Sequence, residues 1–168
     1  MVKVRKKNRL EKFLYSNWYF FVTINSQNHI KYFWEVINDE MVLNEYWNIV
    51  QGCRLDLVNH YANIILDEYI IMPNHFHGIV IIDNDKNITT VGNGFKPFLT
   101  KNRQHWLSEI IRWFKTFSSL KLHQSWLTNF SRQKSFYDHI IRNEQDLQRI
   151  QEYILNNPYK RKNDEYYN

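Results

Sequence analysis

Apolar and polar positions along the chain alternate in ways that predict four strands. Residues 18–25 are apolar on both faces, which predicts a central strand. Residues 62–72 and the run from His75 to Ile82 predict two more strands, joined as an antiparallel hairpin by the turn at Pro73 and Asn74. Residues 135–142 predict a fourth strand.

Helical spacing of apolar residues appears three times between and after these strands. It predicts helices over residues 42–57 and 106–120, and a last helix that begins after the N-cap Asn143 and ends near Asn157, before Pro158. The resulting element order predicts an α+β fold, in which helices pack on one face of an antiparallel sheet. A length of 168 residues fits a single domain.

Charge and composition indicate which partners and which compartment suit the protein. The net charge of +5 suits a polyanionic partner, although the basic tail at residues 1–16 and the polar tail at 159–168 could equally be solvated. Residues 83–104 are polar and without periodicity, which predicts a mobile loop. Cys53 is the single cysteine, so an intramolecular disulfide and a cysteine metal cage are excluded and a cytoplasmic location is expected.

Two histidines begin the third strand and carry the first candidate chemistry. His75 and His77 should point to one side of the strand, while Phe76 points to the other and anchors the strand in the core. Imidazoles about 7 Å apart along a strand can converge on one divalent ion. The alternative is a pair of strand histidines without a ligand.

The last helix adds a tyrosine and an asparagine on one side. Tyr153 and Asn157 are four residues apart, and an asparagine oxygen is a good ligand for Mg²⁺ or Mn²⁺. His75, His77 and Asn157 would form an open three-ligand metal site. The Tyr153 hydroxyl could then attack a phosphodiester and form a phosphotyrosine, which a second hydroxyl could reverse. The alternative for Tyr153 is half-buried packing.

Basic side chains near these elements are candidates for phosphate contacts. Residues Arg112 and Lys115 share the polar face of the second helix. The alternative is that this face contacts only solvent. The residues predicted to bind DNA are Arg112, Lys115, Arg142, Arg149 and Lys160. The remaining histidines are interpreted as surface or packing residues.

Residues 66–78, which end in Met-Pro-Asn-His-Phe-His-Gly, resemble the signature of the HUH single-strand endonucleases. More specifically, they resemble the REP-associated tyrosine transposases, a branch of the insertion-sequence-200-like transposases. Further stretches fit that family in order: 19–23, 44–46, 110–115, 135–144 and 152–160. One departure is at residues 129–134, where the family commonly has Trp-Gln-Arg; it bears on DNA contacts more than on the chemistry.

The resemblance implies a ferredoxin-like sheet and a metal-dependent nickase and strand transferase. It implies that His75, His77 and Asn157 hold Mg²⁺ or Mn²⁺ and that Tyr153 is the nucleophile. The implied substrate is single-stranded DNA near a hairpin of a palindromic repeat, processed by a monomer or a homodimer. Tyr137 is the rival nucleophile. The alternatives are a non-catalytic nucleic-acid-binding module and a metallo-hydrolase that releases a free 5′-phosphate.

Overall fold

A computed structural model describes residues 17–37, 40–83 and 106–157, with the side chains of 35–41 excepted. Both predicted tails and the predicted loop after Asp83 lie outside the described residues. The elements are β1 Trp18–Asn25, β2 Trp34–Ile37, β3 Glu40–Leu43, α1 Glu45–Leu55, α2 Leu57–His60, β4 Ile64–Ile71, β5 His75–Ile82, α3 Leu107–Gln124, β6 Tyr137–Ile141 and α4 Glu144–Asn156. None of the helices within these ranges is long and apolar enough to cross a bilayer.

The main sheet has the strand order β4-β5-β1-β6, and each neighbouring pair is antiparallel. Strands β2 and β3 form a separate antiparallel pair. The predicted α+β fold with an antiparallel sheet is confirmed. The strand β5 lies inside the sheet and is buried over its whole length, which explains its continuous apolar run.

Helices cover both faces of the sheet. Alternate residues of β5, such as Phe76 and Val80, pack with α1 and α3 in the larger core cluster, so these two helices share one face as predicted. The residues between them, such as Ile79 and Ile81, pack with Leu147, Ile150 and Ile154 of α4 in a second cluster. Because His75 and His77 alternate in step with Ile79, they lie on the face that α4 covers.

The start of α4 matches its predicted cap. The Asn143 side-chain oxygen accepts a hydrogen bond from the Asp146 backbone N–H at 2.8 Å, which satisfies one of the free N–H groups of the first turn. Asn157 caps the other end. The predicted range of this helix is therefore confirmed.

The predicted helix over residues 42–57 is wrong at its start. Val42 and Leu43 belong to β3, and α1 begins only at Glu45, because the Asn44 side chain accepts the Trp47 N–H at 3.2 Å and caps the helix there. Apolar residues that pair along a short strand also fit the first positions of a helical stripe, so spacing alone did not separate them. The β2–β3 pair was also missed, because strands of four residues are too short to show a clear period.

Candidate active site

The histidine pair lies at the amino end of β5, buried between the sheet and α4. The His75 and His77 side chains are 0% and 1% exposed, and their ring centroids are 4.5 Å apart. The rings are therefore closer together than the spacing of their backbones along the strand. The two imidazoles therefore lie side by side on one face of the strand, as the alternation predicts, and their convergence on a metal ion stays a prediction.

Hydrogen bonds at the Nδ1 atoms orient both imidazoles. His77 Nδ1 lies 2.8 Å from Thr23 Oγ1, and Thr23 is the residue of β1 paired with His77. His75 Nδ1 lies 2.7 Å from Asn74 Oδ1, and since an amide oxygen only accepts, Nδ1 carries the proton there. This tautomer gives the Nε2 atom of His75 the lone pair that a metal ion requires. Hydrogen bonds of this kind fix the rings of metal-ligating histidines.

Tyr153 reaches the histidine pair from α4. Its Oη lies 3.2 Å from His77 Nε2, and its ring stands edge-on to Phe21 with centroids 6.1 Å apart. The Phe21 ring in turn stacks on His77 at 5.2 Å. Tyr153 is nevertheless 41% exposed, so its hydroxyl sits beside the imidazoles while the ring remains open to solvent.

Asn157 supplies a third donor at the end of α4. It is 3% exposed, and its Oδ1 has no hydrogen-bond partner within the described ranges. A buried amide oxygen without a partner costs free energy, and a cation would satisfy it. The described residues contain no cluster of three His, Cys, Asp or Glu side chains that could hold a metal. A cation at His75 and His77 would therefore draw on Asn157, and two imidazole nitrogens with one amide oxygen fit Mn²⁺ or Mg²⁺.

Tyr137, the rival nucleophile, lies on β6 in register with Thr23. Two strand spacings, about 10 Å, therefore separate its backbone from that of His77. It is 58% exposed, and its side chain is on the same face of the sheet as the histidines. The Tyr153 hydroxyl, by comparison, lies 3.2 Å from His77 Nε2.

Polar contacts attach α4 to both edges of the sheet. Asp146 accepts hydrogen bonds from His139 of β6 at 2.8 Å and from Arg149 at 2.6 Å. Gln151 donates to both carboxylate oxygens of Asp67 on β4, at 3.1 and 2.9 Å. The Arg149 contact lies within α4, whereas the His139 and Asp67 contacts hold the helix across the sheet. They so position Tyr153, which lies two residues after Gln151. His139, interpreted from sequence as surface or packing, therefore also fixes the helix.

The Asp146 contacts predict a pH dependence of stability. Desolvation alone would raise the pKa of the Asp146 carboxyl, but hydrogen bonds from His139 and Arg149 outweigh it and the pKa lies below its usual range. Stability from a depressed carboxyl pKa is present above the ordinary value and is lost as the pH falls through the lowered one. We expect Asp146→Asn to reduce the free energy of unfolding at neutral pH, because it weakens the contacts with His139 and Arg149. The loss should be only about 1 kcal/mol, since both of these partners are largely exposed.

Urea titrations of the wild type and Asp146→Asn at several pH values measure this difference. It should shrink toward zero once the pH is below the lowered pKa of Asp146. The exposed Asp56, which faces Lys121 at 3.6 Å, provides a matched control, Asp56→Asn. An Asp146→Asn deficit that stays constant at acid pH would contradict the assignment.

The predicted DNA contacts fall in different parts of the molecule. Arg142 and Arg149 are exposed, and Arg149 lies one turn before Tyr153 on the same side of α4. Arg112 is exposed on α3, which packs on the opposite face of the sheet from the histidines. Lys160 lies outside the described residues. The phosphate contacts of all four remain predictions.

Lys115 makes structural contacts, and its predicted phosphate contact stays a prediction. Its ammonium donates to the backbone carbonyls of Gln133, Lys134 and Ser135 at 2.7, 2.7 and 3.1 Å. Desolvation, followed by the charge of Arg132, lowers the pKa of Lys115. Burial likewise lowers the pKa of the Arg132 guanidinium to about 10, and this side chain lies over the Phe130 ring. Residues 132–135 are therefore held in place by two half-buried cations, Lys115 and Arg132.

Sequence reasoning missed the polar residues that line the site from β1. Thr23 orients His77, and Asn25 is paired with His75. The available signal was the alternation itself, since Thr23 and Asn25 are polar positions in a strand whose other residues are apolar. A two-sided apolar strand with polar residues at one end of one face indicates that this face is partly polar where it reaches the site.

The solved structures that share this fold include two transposases. One is a REP-associated tyrosine transposase bound to a REP hairpin, 17% identical, which covers 96% of this chain and 74% of its own with a TM-score of 0.55. The other is the crystal structure of a proposed transposase from Deinococcus radiodurans R1, 13% identical, which covers 90% of this chain and 97% of its own with a TM-score of 0.53. At these identities the likeness shows the fold alone, which is transposase-like.

The sequence comparison identifies the family. A Haemophilus influenzae Rd protein is 32% identical over 172 residues, which span 97% of this chain and 93% of the relative. The chain therefore belongs to the same family as this protein, which is itself described only as uncharacterized. No protein-family model matches the chain.

Proposed function

We propose that the protein is a metal-dependent single-stranded DNA nickase and strand transferase that acts through a 5′-phosphotyrosine at Tyr153. The observation that carries the proposal is the 3.2 Å contact between Tyr153 Oη and His77 Nε2 on the face that also holds His75. The contact places the Tyr153 hydroxyl next to the two imidazoles that would hold the cation, and so next to the phosphodiester that the cation would polarise. Its partial exposure leaves room for a polymeric substrate.

Support for a DNA hairpin as the substrate comes from the fold. The solved transposase of the same fold is bound to a REP hairpin. The net charge of +5 agrees with a polyanionic partner. Arg149 and Arg142 are the exposed cations next to the nucleophile helix, and their guanidinium groups suit phosphate oxygens. We therefore propose that the single-stranded DNA next to the hairpin binds to the surface beside α4.

Three side chains would hold the divalent ion, His75 and His77 through Nε2 and Asn157 through Oδ1. When bound, Mg²⁺ or Mn²⁺ would polarise the scissile phosphodiester by drawing charge from its non-bridging oxygens. Thr23 orients the His77 imidazole, and the Asn74 oxygen keeps His75 in the tautomer whose Nε2 carries the lone pair. The apolar wall of Phe21 limits the movement of the Tyr153 ring next to them.

The chain's own residues account for the covalent step. Tyr153 leaves its hydrogen bond with His77, loses its proton to solvent and attacks phosphorus. The bond from Oη to phosphorus forms, the bond from phosphorus to the sugar 3′-oxygen breaks, and that oxygen takes a proton from water. Because one phosphodiester replaces another, a second 3′-hydroxyl can reverse the step and reseal the strand without ATP.

The proposal is tested by trapping the intermediate. The protein is incubated with an end-labelled single-stranded oligonucleotide that contains a hairpin, in the presence of Mn²⁺, and is then denatured in SDS. We expect a labelled band that migrates with the protein. Cleavage to a free 5′-phosphate without that band would instead support a metallo-hydrolase. Salt-sensitive binding without cleavage under any metal would support a non-catalytic binding module.

A further prediction concerns metal affinity. In the structure Tyr153 Oη occupies the hydrogen-bonding position at His77 Nε2, the atom that would hold the cation. Tyr153→Phe removes this competitor, so we expect Mn²⁺ binding to tighten by up to about tenfold, which corresponds to one net hydrogen bond. Calorimetric titration of the DNA-free protein measures the change. Weaker binding by the Phe variant would show that the hydroxyl assists the cation instead.

A further inference from the structure

We propose that Asn25 is a fourth protein ligand of the divalent cation, through its side-chain Oδ1. The inference rests on the proposed function, since the cation is the one assigned to His75 and His77. Asn25 is the last residue of β1 and pairs with His75 of β5. Directly paired residues of antiparallel strands project to the same face with Cβ atoms about 5 Å apart. The Asn25 side chain therefore lies next to the His75 imidazole.

The Asn25 amide has a fixed orientation. Its Nδ2 donates toward Gln133 Oε1 at 3.5 Å, and the Gln133 backbone N–H donates to the Asn25 carbonyl at 3.1 Å. Gln133 precedes β6, and β6 flanks β1 on the side away from β5. Because the two branches of an amide diverge, the nitrogen that faces Gln133 turns the oxygen toward the β5 side, where His75 lies.

The Asn25 oxygen is buried and lacks a partner. The residue is 3% exposed, and among the described residues its Oδ1 accepts no hydrogen bond. Asn157 Oδ1 is in the same condition. Burying two amide oxygens without hydrogen-bond donors costs free energy, unless a cation binds to them. Amide oxygens and imidazole nitrogens are uncharged ligands, so they would not neutralise a bound cation. The cation would then attract a phosphate with its full charge.

The amide oxygen also indicates the type of cation. Carbonyl and amide oxygens suit hard ions such as Mg²⁺ and Mn²⁺, and the two imidazoles favour Mn²⁺ of these. Asn25 and Asn157 would contribute from opposite sides of the histidine pair in sequence, one from β1 and one from α4. A role as a ligand would account for a buried asparagine as the last residue of a largely apolar strand.

The test measures Mn²⁺ binding to the DNA-free protein by calorimetry. Asn25→Ala should weaken binding at least about tenfold, the loss that a disturbed ligand shell produces. Asn25→Asp, which keeps the shape and places an anionic oxygen at the same position, should bind Mn²⁺ more tightly than the wild type. This second variant keeps the inference testable if Asn25→Ala folds poorly.

The matched control is Asn63→Ala. Asn63 is 1% exposed, and both its side-chain amide atoms lack hydrogen-bond partners within the described part of the chain. It precedes Ile64, which pairs with Ile82 at the far end of β5 from His75, about 23 Å away. This variant should leave Mn²⁺ binding unchanged, because the buried amide it removes is remote from the site.

His75→Ala separates failure of the inference from failure of the proposed function. If His75→Ala abolishes Mn²⁺ binding while Asn25→Ala and Asn25→Asp bind like the wild type, Asn25 is not a ligand and only the inference is overturned. If His75→Ala also binds Mn²⁺ like the wild type, the metal site itself is wrong and both proposals fall.

Discussion

Tyr153→Phe should abolish the SDS-stable adduct with a hairpin oligonucleotide, with a loss of at least about a thousandfold in the rate of strand cleavage. The phenylalanine ring keeps the packing against Phe21 but has no oxygen to bond to phosphorus. Tyr153 is also 41% exposed, so the variant should fold normally. Quantitative gel assays under single-turnover conditions measure the effect.

Tyr137→Phe is the matched control for this result. It removes a hydroxyl from the same face of the sheet, at a residue that is 58% exposed and whose backbone is about 10 Å from that of His77. It should retain adduct formation at close to the wild-type level. If Tyr153→Phe forms the adduct in full and Tyr137→Phe does not form it, the nucleophile is Tyr137 of β6.

Gly78→Ala should lower the free energy of unfolding by about 1–3 kcal/mol, because it overpacks the core. A Cβ atom at Gly78 would lie 2.6 Å from Cζ and 2.9 Å from Cε1 of the Phe76 ring. That ring packs against Phe114 at 5.2 Å between centroids, so it has little freedom to withdraw. The glycine after the second histidine is thus explained by close packing beneath the site.

Gly52→Ala provides a control with the opposite sign. Gly52 lies inside α1, and a Cβ atom there would meet nothing within 4 Å. Alanine should therefore stabilise the protein by about 0.5–1 kcal/mol through helix propensity. Urea denaturation of both variants measures the difference, and a Gly78→Ala protein as stable as the wild type would contradict the packing argument.

The sheet was largely predictable from sequence because its signals are strong and local. The strand predicted at residues 18–25 coincides with β1, and the His75 strand coincides with β5. The Asn143 cap gave the start of α4 because a capping side chain acts within four residues. By contrast, β2 and β3 are each four residues long, too short for a period to distinguish a strand from the start of a helix.

The candidate site was predictable only where its residues share one element. The relation of His75 to His77 follows from strand alternation, and that of Tyr153 to Asn157 from the helical repeat. The contact between these two pairs spans 76 positions of the chain and depends on which face α4 covers. Strand pairing set the partners of the histidines, so Thr23 and Asn25 could be recognised only once the register of β1 with β5 was known.

Mass spectrometry of the trapped adduct tests the central claim most directly. Trypsin cleaves after Arg149 and Lys160, so residues 150–160 form one peptide that contains Tyr153 and Tyr159. Fragmentation of this peptide from the wild-type adduct should place a 5′-linked nucleotide on the oxygen of Tyr153. A nucleotide on Tyr159, or on Tyr137 in another peptide, would contradict the account.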